Sequence, residues 1–128
     1  MKKIINTTNA PTPLGPYNQA VLVDGTLYMS GQVALDVASK KMLVGTIEEE
    51  TKKVMQNIMA VLKEVNFTFE NVVKTTIFIT DMNNFGKVNK SYGSFFNEVT
   101  APARETVEVN ALPLGARVEI SVIAKKLD

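Results

Sequence analysis

The chain has 128 residues, 45% of them hydrophobic, which suits a single compact domain over 1–128 and argues against disorder. Fourteen basic against thirteen acidic residues leave a formal net charge of +1, too little to supply a field for nucleic acid or an anionic membrane. Cysteine and histidine are both absent, which excludes disulfides, thiol nucleophiles, histidine bases and thiolate or histidine metal sites. Any catalysis must therefore use Arg, Lys, Glu, Asp, Tyr, Ser, Thr or the backbone. Met1-Lys2-Lys3-Ile4-Ile5-Asn6 lacks the apolar run of a signal peptide, and no stretch has the apolar length of a membrane span. The expected setting is the cytoplasm.

Ile4–Asn6 reads as a short opening strand. Three prolines and a glycine make Asn9–Pro16 irregular. Gln19–Val23 and Thr26–Ser30 read as strands joined at Asp24-Gly25, a dipeptide that favours a tight hairpin turn. Gln32–Leu35 is read as continuing the sheet and Val37–Lys41 as a loop. Ile47, Thr51, Val54, Ile58, Val61, Leu62 and Val65 follow helical spacing, with Thr46 and Glu49 as a capping box. Glu48, Glu49 and Glu50 in the first turn suit the helix dipole, and all three read as part of a solvated face. The spacing predicts Glu48–Lys52 and Glu49–Lys53 pairs on a solvated face.

Val72–Thr80 reads as a strand apolar on both sides, with Val73, Ile77 and Ile79 on one face and Val72 and Phe78 on the other. The chain supplies helices for one side only, so the other side is expected to meet another subunit. A second helix is expected from Asn83 or Asn84 to Glu98, with Phe85, Val88, Tyr92, Phe95, Phe96 and Val99 as its apolar stripe. Gly86 and Gly93 lie on one side of it, which close packing against another element would explain and so would a poorly optimised surface. Strands, helix, strand, helix, strands make an α+β sandwich with one sheet and two helices on one face.

Two late strands carry the chemistry. From Ala103 onward, Val107 and Val109 share a face, which leaves Arg104, Thr106 and Glu108 on the other. In Arg117–Val122, the residues Val118, Ile120 and Val122 face one way, and Arg117, Glu119 and Ser121 the other. Arginine presents a planar donor fork suited to a carboxylate, and a glutamate can hold or activate water. By residue type alone, Arg104 fits an intersubunit ion pair as well as a ligand contact, and Glu119 fits a surface carboxylate.

The motifs Gly15-Pro16-Tyr17-Asn18-Gln19-Ala20, Ser30-Gly31-Gln32, Val88-Asn89, Pro102-Ala103-Arg104, Val107-Glu108-Val109, Leu112-Pro113 and Val118-Glu119-Ile120 occur in this order and spacing. Together they resemble the Rid family, formerly YjgF, over essentially the whole chain, and the RidA branch in particular. The resemblance implies a chorismate-mutase-like fold and a homotrimer, with sheets inward, helices outward and sites in the clefts between subunits. It also implies hydrolysis of 2-imino acids such as 2-iminobutanoate and 2-iminopropanoate to 2-oxo acids and ammonia, with no cofactor and no metal. Many close members carry cysteine where this chain has Thr106, and a hydroxyl can bond water or substrate but is no thiol nucleophile.

On this resemblance Arg104 binds the substrate carboxylate and Glu119 orients the attacking water. Tyr17, Ser30, Gly31, Asn89 and Thr106 are the expected substrate contacts. Without the family, a packing tyrosine, ordinary turn chemistry at Ser30-Gly31, a backbone-satisfying asparagine and a β-forming threonine account for the same residues. Glu108 and Arg117 read as structural, paired across strands. The alternative function is a non-catalytic 2-oxo-acid or carboxylate-binding regulatory protein. A third, RNA-acting reading meets no basic stripe and no stacking aromatics.

Overall fold

The computed structural model describes all 128 residues. Six strands, β1 (Lys3–Ile5), β2 (Ala20–Val23), β3 (Thr26–Gln32), β4 (Val72–Ile79), β5 (Ala103–Glu108) and β6 (Val118–Lys125), form one sheet in the order β1-β2-β3-β6-β4-β5. Every neighbouring pair is antiparallel except β4–β5. Parallel neighbours need a crossover, and α2 (Phe85–Gly93) lies within the one joining β4 to β5. Helix α1 (Ile47–Glu64) runs between β3 and β4, which are themselves parallel with β6 inserted between them. The α+β class and the single sheet with two helices are as expected.

The local reasons are visible along the chain. Asp24 and Gly25 both take positive φ (49° and 78°), the twist that matches a two-residue hairpin between β2 and β3. The capping box closes α1 in both directions: Thr46 Oγ1 accepts from Glu49 N–H at 3.1 Å, and Glu49 Oε1 accepts from Thr46 N–H at 3.0 Å. The apolar face of α1 covers the sheet. Leu27, Met55, Ile58, Leu62, Ile77, Ile79 and Ile120 are fully buried, each worth roughly 1.5–3 kcal/mol of burial.

Four expectations fail for physical reasons. Val72 is buried and Val73 is exposed, because the β4–β6 register slips between Val72 and Lys74 and the bulge exchanges the two faces. Helix α2 ends at Gly93, so Phe95 and Phe96 follow it in a turn, where both pack on Phe69 at centroid distances of 5.4 and 5.3 Å; Val99 is exposed. A Cβ on Gly86 or Gly93 would meet nothing within 4 Å, so neither glycine marks a close approach within the protomer. Neither expected α1 ion pair forms: Glu49 is spent on the cap, and Lys53 reaches Asp36 at 3.2 Å.

Glu50 departs furthest from the solvated face assigned to it, being only 3% exposed. Its carboxylate accepts from the N–H groups of Arg117 and Val118 and from Arg117 Nε at 2.8 Å. It thereby locks the first turn of α1 to the start of β6.

The face of the sheet away from the helices is bare. Tyr28, Val73 and Val107 are exposed there, and Phe78 and Ile123 half-buried.

Candidate functional site

Glu119 projects from β6 onto the bare face, opposite Phe78 of β4 and out of phase with the buried Val118 and Ile120. The β3–β6 register is irregular between Met29 and Gln32, and Gly31 sits in that irregularity. A Cβ built on Gly31 would lie 2.6 Å from Glu119 Oε2 and within 3 Å of two further side-chain atoms. Only a glycine lets the Glu119 side chain lie across this backbone. The carboxylate has no hydrogen bond or ion pair in the protomer. Burial raises its pKa above the ordinary 4.5.

Around it is a cavity of about 60 Å³, lined among others by Pro11, Tyr17, Gly31, Leu35, Leu114 and Glu119. Tyr17 is held by a tight turn, its N–H donating to the Gly15 carbonyl at 2.8 Å, and its hydroxyl accepts from Leu14 N–H at 3.3 Å. The cavity wall depends on Gln19, which is 2% exposed. Gln19 Oε1 accepts from Thr7 N–H, and its Nε2 donates to the carbonyls of Thr7, Ala10 and Pro11. Ser30 is adjacent, but its hydroxyl donates to the Asn18 carbonyl at 2.7 Å, so its proton secures the turn and its lone pairs stay available.

Arg104 lies elsewhere. It pairs in register with Thr75, whose buried hydroxyl bonds to Tyr92 of α2 at 2.8 Å, so Arg104 is on the helix-covered face. Its guanidinium carbon is 5.6 Å from the Phe85 ring centroid and 5.1 Å from that of Tyr92. No protein acceptor or carboxylate meets its N–H groups. Asn89, Tyr92, Phe96, Glu98 and Ala101 share its recess. Thr106, on the same face, has a buried Oγ1 with no partner. Burial pushes the Tyr92 phenol up, against the opposing pull of the Thr75 hydroxyl and the Arg104 charge.

The seven expected residues thus form two groups in a protomer: Tyr17, Ser30, Gly31 and Glu119 around the bare-face cavity, and Arg104, Asn89 and Thr106 on the helix side. The structure does not bring them together within one copy. Arg117 and Glu108 are structural but not mutual partners: Arg117 pairs with Glu50, and Glu108 accepts from Met82 N–H at 2.7 Å. Sequence reasoning gave Gln19 no role of its own, although it stands in the Gly15–Ala20 motif. It also missed Leu114, a cavity-lining residue at φ 59°, because nothing in a leucine announces a left-handed backbone. No three His, Cys, Asp or Glu side chains cluster as metal ligands would, and no helix is long and apolar enough to cross a membrane.

Residues 7–126 match the family model described as Endoribonuclease L-PSP. A mouse protein named 2-iminobutanoate/2-iminopropanoate deaminase is 48% identical over 124 residues, 97% of this chain and 91% of its own. A Yersinia pestis structure from the conserved Rid protein family superposes with a TM-score of 0.95 at 47% identity, covering 98% of this chain and all of that one. E. coli TdcF, solved with bound serine, gives a TM-score of 0.91 at 31% identity over 98% of this chain and 99% of its own. A match of this extent in sequence and structure places the chain in the Rid (YjgF) family.

Proposed function

We propose that the protein is a cytoplasmic imine deaminase that hydrolyses 2-iminobutanoate and 2-iminopropanoate to the 2-oxo acids and ammonia, without cofactor or metal. One observation carries the reading: a guanidinium with no protein acceptor and a desolvated carboxylate with no protein donor, each held in place and each lacking a partner. Uncompensated charges of this kind are costly unless a ligand completes them. The deaminase names of close relatives and the serine bound to TdcF, a small molecule with a carboxylate, point the same way.

The two groups lie on opposite faces of one sheet, which supports a site assembled from two copies. In the homotrimer we propose, the bare faces pack inward, cover Tyr28, Phe78, Val107 and Ile123, and bring one copy's Glu119 cavity to the Arg104 edge of its neighbour. Arg104 then grips the substrate carboxylate with two parallel N–H donors, and Thr106 and Asn89 offer further polar contacts. Glu119 orients a water against C2 of the imine. The water oxygen bonds to C2, and its proton passes by way of Glu119 to the nitrogen. The remaining hydroxyl proton of this carbinolamine then passes to the nitrogen as the C=O bond forms and the C–N bond breaks, releasing ammonia and leaving the 2-oxo acid. Imines hydrolyse in water unaided, so positioning supplies much of what is needed.

The test is 2-oxobutanoate release from threonine and a threonine dehydratase, with semicarbazide trapping free imine. Oxo-acid release that outruns the trap is expected. Binding of 2-oxobutanoate without turnover would instead favour a carboxylate-binding regulator. The near-neutral charge favours small-molecule chemistry over RNA, and salt-dependent RNA retention would oppose it.

A further inference from the structure

Arg104 is a long side chain on an edge strand, yet no hydrogen bond or ion pair holds it. Two aromatic rings do. Phe85 opens α2 and Tyr92 follows seven residues later, which returns to the same helix face about two turns on. Arg104 lies between them, within cation–π range of both. Tyr92 is itself fixed, being 6% exposed and hydrogen-bonded to Thr75 on the strand beside Arg104. Phe85, 38% exposed, forms the solvent-side jaw.

We propose that Phe85 and Tyr92 are positioning residues for Arg104, a two-ring clamp that fixes the guanidinium plane and leaves its N–H donors free. This rests on the reading that Arg104 receives the substrate carboxylate. A carboxylate or a hydrogen-bonding side chain could also hold an arginine, but it would occupy the donors that the ligand needs. Aromatic faces hold the cation without using a single N–H. The clamp freezes the arginine before substrate arrives, so ligand binding need not. Its contribution is the same in the ground state and the transition state, and so it appears in KM and not in kcat.

The experiment is steady-state kinetics on Phe85→Leu, Phe85→Tyr, Arg104→Ala and the Phe85→Leu/Arg104→Ala double variant, with calorimetry of 2-oxobutanoate. Phe85→Leu keeps apolar volume at an exposed position and should fold normally. Its expected effect is a KM and a dissociation constant raised about 3- to 5-fold with kcat unchanged, the range of a single cation–π contact. Phe85→Tyr, which keeps a ring, should restore both. In the Arg104→Ala background Phe85→Leu should add nothing. The clamp is overturned if Phe85→Leu binds as wild type while Arg104→Ala is impaired, or if Phe85→Leu weakens binding equally with and without Arg104. If Arg104→Ala itself binds and turns over normally, the underlying reading of Arg104 fails, and the clamp with it.

Discussion

Arg104 and Glu119 stand on opposite faces of one sheet, on strands separated by β4. No rotamer change brings their side chains together through a packed sheet. If both serve one reaction, they must come from different copies. Two inactive variants, Arg104→Ala and Glu119→Gln, should therefore complement each other. In the proposed trimer, co-refolded from an equal mixture, each site would draw one residue from each of two subunits, so roughly a quarter of sites would regain both groups. Activity near a quarter of wild type is the expected result. Mixed trimers without activity would place both residues in one copy's site or remove one of them from the reaction.

Arg104→Ala alone should lower kcat/KM at least about 100-fold, the equivalent of roughly 2.7 kcal/mol, as loss of a bidentate charged contact does. The oligomeric state should not move and the melting temperature should fall by only a few degrees, because the guanidinium has no acceptor in the protomer and gives up only its two cation–π contacts. A trimeric variant with near-normal turnover would end its assignment as carboxylate anchor.

Glu119 ties function to pH and to stability through one cause. Burial raises its folded-state pKa above the ordinary 4.5, so the native state binds the proton more tightly than the unfolded chain does. As pH rises through that interval, deprotonation costs the folded state more than the unfolded, and stability is lost. Glu119→Gln removes this cost. It should melt higher than wild type at about pH 7 and match it at about pH 3, where the carboxyl is protonated in both states. The same substitution should lower kcat more than substrate binding. The wild-type rate should climb with pH along a limb centred above 4.5, and the variant should lose that limb. Equal melting temperatures for the two proteins at both pH values would contradict the desolvation argument.

The sequence revealed what is local. The α1 cap, the Asp24-Gly25 turn and the alternation in β6 each rest on residues a few positions apart, and each formed as read. What it hid depends on pairing across the chain. Val72 and Val73 exchanged faces because of a bulge set by β6, about fifty residues away. Glu50 looked like one of three solvated glutamates because its partner, Arg117, lies 67 positions further on. For the candidate site, the motifs named the expected residues but not their sides. Alternation placed Arg104 and Glu119 each opposite an apolar face, yet in β5 the apolar face carrying Val107 is the bare one, whereas in β6 the apolar face is the core. Strand period alone does not say which face a neighbour will cover.

Gly31 links the two levels. A methyl group there would collide with three atoms of the Glu119 side chain, the nearest at 2.6 Å. The Gly31 backbone does not require a positive φ, so alanine is not strained by conformation. The carboxylate, being the free end of a side chain, should swing away instead. Gly31→Ala is thus expected to fold with a melting temperature near wild type and to lose activity about 10-fold or more, as a displaced water-orienting group does. Full activity in Gly31→Ala would show that the position of Glu119 over this backbone is unimportant to turnover.

Glu50 makes the opposite prediction, a change in stability without a change in chemistry. It is far from neither charge nor structure: its carboxylate accepts two backbone N–H groups and the Arg117 guanidinium, whose other end donates to the Gly45 carbonyl at 2.7 Å. Glu50→Ala leaves two N–H groups at the α1–β6 junction without an acceptor and the Arg117 guanidinium with the Gly45 carbonyl but no counter-charge. Removing one partner of a buried pair typically costs about 3 kcal/mol, and Arg117 is partly solvated, so the loss should lie near that lower figure. A melting temperature lower by roughly 10 °C is expected, with kcat per folded molecule unchanged. Glu50→Gln, which keeps an acceptor oxygen, should lose less. If Glu50→Ala instead melts like wild type and loses turnover, this carboxylate belongs to the reaction and not to the frame that carries Glu119.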